Sequence, residues 1–241
     1  MNLDWSILWG DSGRQILQGL VVTLELSAWT LALAFAIGLV VGVTRWADLK
    51  AANPLCWIYI EVARNTPPVV QILFWYFSAS YLLPQGLFLA LRGIGYEFGA
   101  AVVALALYHG AFVAEVVRAG LNAVPRGQLD AARALGLGFA QALGRVVMPQ
   151  ALRIVAPPLV NEAVAIVKNT SLAMAIGVAE LTYQYKSIDI FAFRGTEALT
   201  AVTVIYLALC LAIAGGGHLV SRQLSRHVTA ARGLAALPTS E

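Results

Sequence analysis

Five long stretches of apolar residues, separated by shorter polar segments, make up most of the 241-residue chain. A helix needs about 20 mostly apolar residues to cross a bilayer core about 30 Å thick. The stretches that meet this length are residues 17–43, 54–83, 98–117, 151–181 and 198–220. The pattern predicts an all-α integral membrane protein with five transmembrane helices. We expect a single membrane domain over residues 1–228 and a flexible cytoplasmic tail at 229–241.

The first of these stretches contains a spacing that is typical of close helix packing. Gly38 and Gly42 are four residues apart and form a small-xxx-small pair. Such a pair lets the backbone of a neighbouring helix approach closely, because no side chain stands between them. The sequence therefore predicts a tight contact between the first helix and another span.

The composition agrees with a chain whose surface faces lipid rather than water. Hydrophobic residues make up 59% of the chain and charged residues only 12%, whereas soluble domains carry about 25% charged residues. Disordered, coiled-coil, collagen-like and disulfide-stapled classes are excluded by the same numbers. His109 stands alone inside an apolar stretch, and no His, Cys and carboxylate residues have metal-ligand spacing. We therefore expect no metal site in this chain.

The distribution of positive charge predicts the orientation in the membrane. Ten of the sixteen Lys and Arg residues flank the predicted spans on one side of the membrane, and four flank them on the other side. The richer side includes residues 118–150 and the C-terminal flank. Because cytoplasmic flanks are enriched in Lys and Arg, the N-terminus is predicted outside and the C-terminus in the cytoplasm.

Residues 118–150, between the third and fourth stretches, form a polar loop with a helical pattern of its own. Pro125 suits a helix start, residues 130–135 are good helix formers, and Gly136 interrupts them. A second short helix with one apolar face follows, and Pro149 is expected to end it. The alanines of the first helix leave it narrow enough to enter a groove of another protein. The alternative is a surface helix in the headgroup layer.

Several polar residues inside the stretches are candidates for a substrate pathway. Ionisable groups at mid-bilayer cost about 2.5–3.5 kcal/mol on insertion scales, and they usually face a bundle interior or a cavity. The candidates are Asn161, Glu162, Lys168, Glu61 and Arg64. Pro157 and Pro158 are expected to kink the fourth helix. A pathway there would present polar groups to the ammonium and carboxylate of an amino acid.

Structural roles for the same residues remain open alternatives. Glu61 and Arg64 are three residues apart and can form an ion pair near the membrane boundary. Glu115 and Arg118 repeat that spacing at the end of the third stretch. The polar groups of the fourth stretch could instead form hydrogen bonds between subunits, and Lys168 could mark the outer end of its span.

Several segments of the chain resemble those of one known family. Residues 125–136 read PRGQLDAARALG and resemble the coupling-loop signature of bacterial ATP-binding-cassette (ABC) importer permeases. Asp130 stands where that signature has Glu, and Met148 precedes the later proline. Four further segments resemble, in the same order, motifs of the polar amino acid uptake permeases: residues 61–71, 114–120, 157–162 and 167–172. Over roughly residues 15–225 the chain is similar to the histidine/glutamine/glutamate-type permease subunits.

The resemblance implies the fold of a type I ABC importer permease, with a coupling helix between spans three and four. A second permease subunit, identical or paralogous, would complete a pathway for polar amino acids in the bacterial inner membrane. A periplasmic or lipid-anchored binding protein would deliver the amino acid, and no nucleic acid would be involved. The residues implied in coupling to the ATPase are Arg126, Gly127, Asp130, Ala131, Ala132, Arg133 and Gly136.

Energy for transport would have to come from another chain. The sequence has no Gly-x-x-x-x-Gly-Lys-Ser/Thr phosphate loop, so ATP and Mg²⁺ would be bound by homodimeric partner ATPase subunits, and this chain would not itself be an enzyme. The alternative function is an ion-gradient-driven secondary amino acid carrier. Such carriers show inverted repeats with carboxylates at related positions, and neither is visible in this sequence.

Overall fold

The computed structural model describes residues 3–235, and every regular element within that range is helical. The α-helices are α1 (Asp11–Trp46), α2 (Asn53–Asn65), α3 (Pro68–Leu82), α4 (Gln85–Gly93), α5 (Tyr96–Asn122), α6 (Arg126–Ala134), α7 (Phe139–Ala142), α8 (Met148–Asn169), α9 (Leu181–Ala192) and α10 (Gly195–Ala235). Two 3₁₀ segments, Trp5–Trp9 and Thr170–Ile176, and a π-helical turn, Leu143–Val147, complete the described elements.

Four helical stretches in the described part of the chain are long and apolar enough to cross a membrane. They are Asp11–Trp46, Tyr96–Asn122, Phe139–Ile176 and Gly195–Gln223. These stretches correspond to the predicted segments 17–43, 98–117, 151–181 and 198–220, which are thereby confirmed as long apolar helices. The third stretch ends at Ile176 because Gly177 turns the backbone into the left-handed region at φ 88°.

The predicted segment 54–83 is not one helix but two. Thr66 has the extended backbone angles φ −111° and ψ 131°, which the residue before a proline favours because the proline ring clashes with a helical predecessor. Pro67 follows it, so the helix breaks there and α3 starts at Pro68. At 1.5 Å per residue, α2 and α3 are each only about 20 Å long. The prediction of one continuous helix over these residues was wrong.

The expected helix end at Pro149 was also wrong. α7 passes through the π-helical turn directly into α8, and the N–H of Met148 bonds to the carbonyl of Leu143. Pro149 therefore follows the π-helical turn, and the helix continues through it as α8. α8 then continues through Pro157 and Pro158 as far as Asn169.

The last helix is longer than its apolar pattern predicts. α10 extends to Ala235, well past the predicted end of the span at residue 220. The tail predicted at 229–241 therefore begins inside this helix. Residues 236–241 lie outside the described residues.

α5 occupies the centre of the bundle, where it packs against α1, α2, α3 and α8. The contact with α1 is close at two glycines of that helix. A Cβ atom added to Gly38 would lie 2.4 Å from Val113 Cγ1, and one added to Gly42 would lie 2.6 Å from the carbonyl oxygen of Ala114. The close approach predicted from the spacing of these glycines is confirmed. We call these four residues and Val117 the α1–α5 seam.

Candidate functional site

The loop helix α6 has sharply defined ends, as its sequence predicts. Pro125 occupies the N-cap position of α6. At the other end, Gly136 takes the left-handed conformation at φ 80°, and its N–H bonds to the carbonyl of Arg133 at 2.9 Å. The N–H of Leu137 bonds to the carbonyl of Ala132 at 3.1 Å. This pair of hydrogen bonds is the Schellman motif, which satisfies the last carbonyls of a helix.

Six of the seven residues predicted for coupling are exposed, and one is buried. Ala132 is the buried residue. Three of the exposed side chains, those of Arg126, Asp130 and Arg133, line a cavity of about 420 Å³ beside Trp46. α6 thus has one buried position and exposes side chains of both charge signs beside the end of α1. We call residues 125–147 the α6 segment.

Apolar contacts hold the α6 segment against the ends of α1, α5 and α8. Val124 and Val147 belong to a buried cluster that continues into α5, and Leu129 packs against it. The rings of Trp46 and Phe139 stack with centroids 6.0 Å apart and 26° between their planes. The segment is therefore docked at both of its helices rather than free.

An ion-pair network joins α1 to α5 at the same end of the bundle. Arg118 Nη2 lies 2.7 Å from Glu115 Oε2, which confirms the pairing that their spacing allows. The second oxygen of Glu115 lies 2.6 Å from Arg45 Nη1 on α1. Sequence reasoning did not include Arg45, because it lies seventy residues away in the chain.

A second polar group lies in the middle of the bundle, between α5 and α8. Glu162 Oε1 is 2.5 Å from Nδ1 of His109, and Nε2 of the same ring is 3.1 Å from Asn169 Nδ2. His109 was read from the sequence as an isolated residue of an apolar stretch. The available signal was its position, because a histidine in the middle of a span needs a polar partner from another helix.

Glu61 and Arg64 do not pair with each other in the described structure. Glu61 Oε2 instead accepts a hydrogen bond from Asn65 Nδ2 at 2.9 Å. The guanidinium carbon of Arg64 lies 5.3 Å from the centre of the Phe112 ring on α5, a distance typical of a cation–π contact. The ion pair that their spacing allows is therefore replaced by contacts with other residues.

Aromatic rings along α5 connect Arg64 to the region of His109. The ring centres of Tyr108 and Phe112 are 5.0 Å apart, and those of Tyr108 and His109 are also 5.0 Å apart. The structure thus brings two of the five candidate pathway residues, Arg64 and Glu162, to the same stretch of α5.

The other candidates lie elsewhere. Lys168 is exposed and lines a cavity of about 280 Å³ with Thr203 and Tyr206, between α8 and α10. Asn161 is exposed on α8. The five residues predicted together do not form one cluster.

A buried carboxylate that sequence reasoning missed is Glu180, which begins α9. Its oxygens accept hydrogen bonds from the backbone N–H groups of Thr182 and Tyr183, both at 2.8 Å. The hydroxyl of Tyr206 donates a third, also at 2.8 Å. The two backbone hydrogen bonds make Glu180 the N-cap of α9. The hydrogen bond from Tyr206 links this end of α9 to α10.

Comparisons with known proteins identify the family and the fold of this chain. A family model described as "Binding-protein-dependent transport system inner membrane component" matches residues 34–226. The glutamine transport system permease protein GlnP of Escherichia coli (strain K12) is 36% identical over 229 residues, covering 95% of this chain and 99% of that protein. The glutamate/aspartate import permease protein GltJ of the same strain is 32% identical over 224 residues, covering 87% and 90%. A solved structure of an amino acid ABC transporter with histidines has a chain with 31% sequence identity and a TM-score of 0.77, covering 92% of this chain and 100% of that chain.

Proposed function

The chain belongs to the family of binding-protein-dependent transport system inner membrane components, and we propose that it imports glutamine, glutamate or a similar polar amino acid by coupling through α6. Within that family it is a permease subunit of an amino acid ABC importer with the type I fold. The observation that supports the coupling step is the α6 segment. It exposes Asp130 and Arg133 but is docked through Ala132. A partner that pushes on the α6 segment also moves α1, α5 and α8, because the segment is packed against the ends of these helices.

The membrane arrangement follows from the same proposal. α2 and α3 together supply the fifth crossing, with the break at Thr66 and Pro67 inside it. The N-terminus lies outside and the C-terminus lies in the cytoplasm, so α6 faces the cytoplasm. The excess of Lys and Arg on that side supports this orientation.

The importer also requires other chains. Two ATPase subunits form a homodimer that binds ATP and Mg²⁺. One ATPase subunit docks on the α6 segment of each permease subunit. A second permease subunit, identical or paralogous, completes the pathway. A periplasmic or lipid-anchored binding protein delivers the amino acid. The family description, which names dependence on a binding protein, supports this assembly.

The substrate pathway in this proposal runs beside α5. The guanidinium of Arg64 attracts the carboxylate of the amino acid, and the carboxylate of Glu162 attracts its ammonium group. Their common position along α5, linked by the rings of Tyr108 and Phe112, supports the assignment. Glu61 on α2 and Asn161 and Lys168 on α8 are exposed, and in this proposal they contact the substrate as it enters or leaves.

Reconstitution tests this function. The permease, its partner ATPase and its binding protein are placed in proteoliposomes with ATP on the ATPase side, and uptake of labelled L-glutamine and L-glutamate is measured. We expect uptake that requires ATP, the binding protein and the ATPase, and that persists when ionophores collapse ion gradients. Uptake by the permease alone under an imposed ion gradient would instead support the secondary carrier and overturn the proposal.

A further inference from the structure

His109 is the middle residue of the 27-residue α5, and it is only 1% exposed. Both nitrogens of its ring face partners on α8, Glu162 on one side and Asn169 on the other. From this geometry we propose that His109 is a positioning residue that holds the Glu162 carboxylate ready for the α-ammonium group of the transported amino acid. The inference rests on the proposed function, since it takes Glu162 as part of the substrate pathway.

The two oxygens of Glu162 differ in their surroundings. Oε1 is fixed by the imidazole at 2.5 Å. Oε2 has no hydrogen-bond partner among the described residues, and the side chain of Glu162 remains 15% exposed. One oxygen therefore orients the carboxylate, while the other is open to a ligand. An ammonium group is the natural ligand for such an oxygen, because hydrogen bonds between opposite charges are short and strong.

A neutral imidazole suits the positioning role better than a cation would. The amide nitrogen of Asn169 can only donate, so Nε2 of His109 accepts and the ring proton lies on Nδ1. Nδ1 then donates to Oε1 of Glu162, and the imidazole orients the carboxylate without occupying its second oxygen. A Lys or Arg at this position would form a buried ion pair and compete with the substrate for the carboxylate.

Asn169 completes the arrangement. It lies at the end of α8, and its hydrogen bond to Nε2 at 3.1 Å fixes the tautomer of the ring. The imidazole is also held edge-on against the ring of Tyr108, with centroids 5.0 Å apart and planes at 90°. Because the ring cannot turn without losing these contacts, the carboxylate of Glu162 is oriented before a substrate arrives.

A pair of substitutions at position 109 separates positioning from packing. In His109→Asn the amide nitrogen stands as far from the backbone as Nδ1 and can still donate to Glu162. In His109→Gln the amide reaches the position of Nε2 instead, so the donor to Glu162 is lost while polarity and volume are kept. Both variants are assembled with the partner ATPase in lipid nanodiscs. Binding of labelled L-glutamine, without the binding protein, is then measured by equilibrium dialysis.

We expect His109→Asn to bind L-glutamine within about threefold of the unmodified complex, and His109→Gln to bind about tenfold more weakly, the range expected for one hydrogen bond to a charged group. The 2-hydroxy acid that matches glutamine, which lacks the ammonium group, should not compete for the site in the unmodified complex. Equal binding by the two variants would overturn the positioning role, because a residue that only fills space would not distinguish the two amides.

Two variants at position 162 separate this inference from the proposed function. Glu162→Gln removes the charge, and we expect L-glutamine binding to fall by at least tenfold. If it does not, or if the unmodified complex binds neither L-glutamine nor L-glutamate, both the pathway and the positioning role are wrong. Glu162→Asp keeps the charge but draws the carboxylate about one bond away from His109. Weaker binding by about tenfold is expected even if His109→Gln does not assemble, and full binding would leave the pathway intact but overturn the positioning role.

Discussion

The α1–α5 seam and the α6 segment lie at neighbouring places in the bundle but are built on opposite principles. In the seam, Gly38 and Gly42 bring two backbones together with no space for a further methyl group. In the α6 segment, the glycines at 127, 136 and 138 have no neighbouring atom within 4 Å of an added Cβ. Glycine serves close packing in the seam, whereas at Gly136 of the α6 segment it serves the left-handed backbone conformation.

The difference separates stability from function. Substitutions in the seam push two buried helices apart, so their cost falls on the folded state of the permease. Substitutions in the α6 segment leave the buried helices in place, so their cost falls on what the segment transmits. A single amino acid type, glycine, can test both sides of this comparison.

The largest effect is expected at Gly38. In Gly38→Ala the new methyl group would meet Val113 at 2.4 Å and the backbone nitrogen of Ala114 at 3.0 Å. Overpacking of this kind costs about 1–3 kcal/mol, which exceeds the gain of about 1 kcal/mol from replacing glycine by alanine in a helix. We expect a lower unfolding temperature for the purified permease in detergent, measured by loss of the monodisperse fraction after heating.

Gly216→Ala is the matched control for that prediction. It lies in α10, and an added Cβ there has no neighbour within 4 Å. Alanine should then gain helix propensity over glycine without any cost from overpacking. This variant should therefore unfold at the same temperature as the original chain or above it. If both alanine variants shift the unfolding temperature in the same direction, the seam is not the tight contact described here.

The long helices and the ends of α6 could be predicted from the sequence because those features depend on local pattern. Apolar length marks a span, and Pro125 and Gly136 mark helix ends through their own backbone preferences. Hydropathy could not divide residues 54–83, since proline at 67 alters backbone angles without changing the apolar character of the segment. The proline at 149 gave the opposite error, and the prolines at 157 and 158 lie inside α8, which continues past them. A proline in the sequence therefore does not by itself mark the end of a helix.

The candidate site was predicted less completely, for a different physical reason. Glu162 could be singled out because a carboxylate in a span is costly and therefore conspicuous. Its partner His109 lies fifty-three residues earlier in the chain, and no local spacing connects the two. Glu61 and Arg64 illustrate the converse, since their helical spacing permits an ion pair that contacts with Asn65 and Phe112 replace.

A smaller and functional effect is expected at Gly136. Its φ of 80° lies in the left-handed region, which costs a residue with a Cβ about 1–2 kcal/mol and a β-branched residue more. Gly136→Val should therefore distort the turn after α6 and lower ATP-driven amino acid uptake by about tenfold. The permease should still reach the membrane in normal amounts, and its unfolding temperature should fall less than that of Gly38→Ala, since distortion of the exposed turn relieves part of the strain and the α1–α5 seam is untouched.

Gly136→Asn sharpens this prediction, because asparagine tolerates the left-handed conformation better than other residues with a side chain. Most of the uptake should return in this variant, with the ratio of amino acid transported to ATP hydrolysed close to the original. Full uptake by the valine variant, with the ATPase normally associated, would mean that the shape of this turn does not matter for coupling.

The smallest effect is expected where the two regions meet. Trp46 ends α1 just beyond the seam, and its ring stacks on Phe139 of the α6 segment at 6.0 Å. Aromatic pairs of this kind contribute about 0.5–1.5 kcal/mol beyond the area they bury.

Trp46→Leu, Phe139→Leu and the double variant form a cycle in which uptake rate and unfolding temperature are both measured. If the stack transmits motion from the segment to α1, the two single substitutions should each lower uptake by about threefold, and the double variant should lose little more than either one. Additive losses would mean that the two rings act independently, and the seam and the α6 segment would then be joined only through α5 and α8.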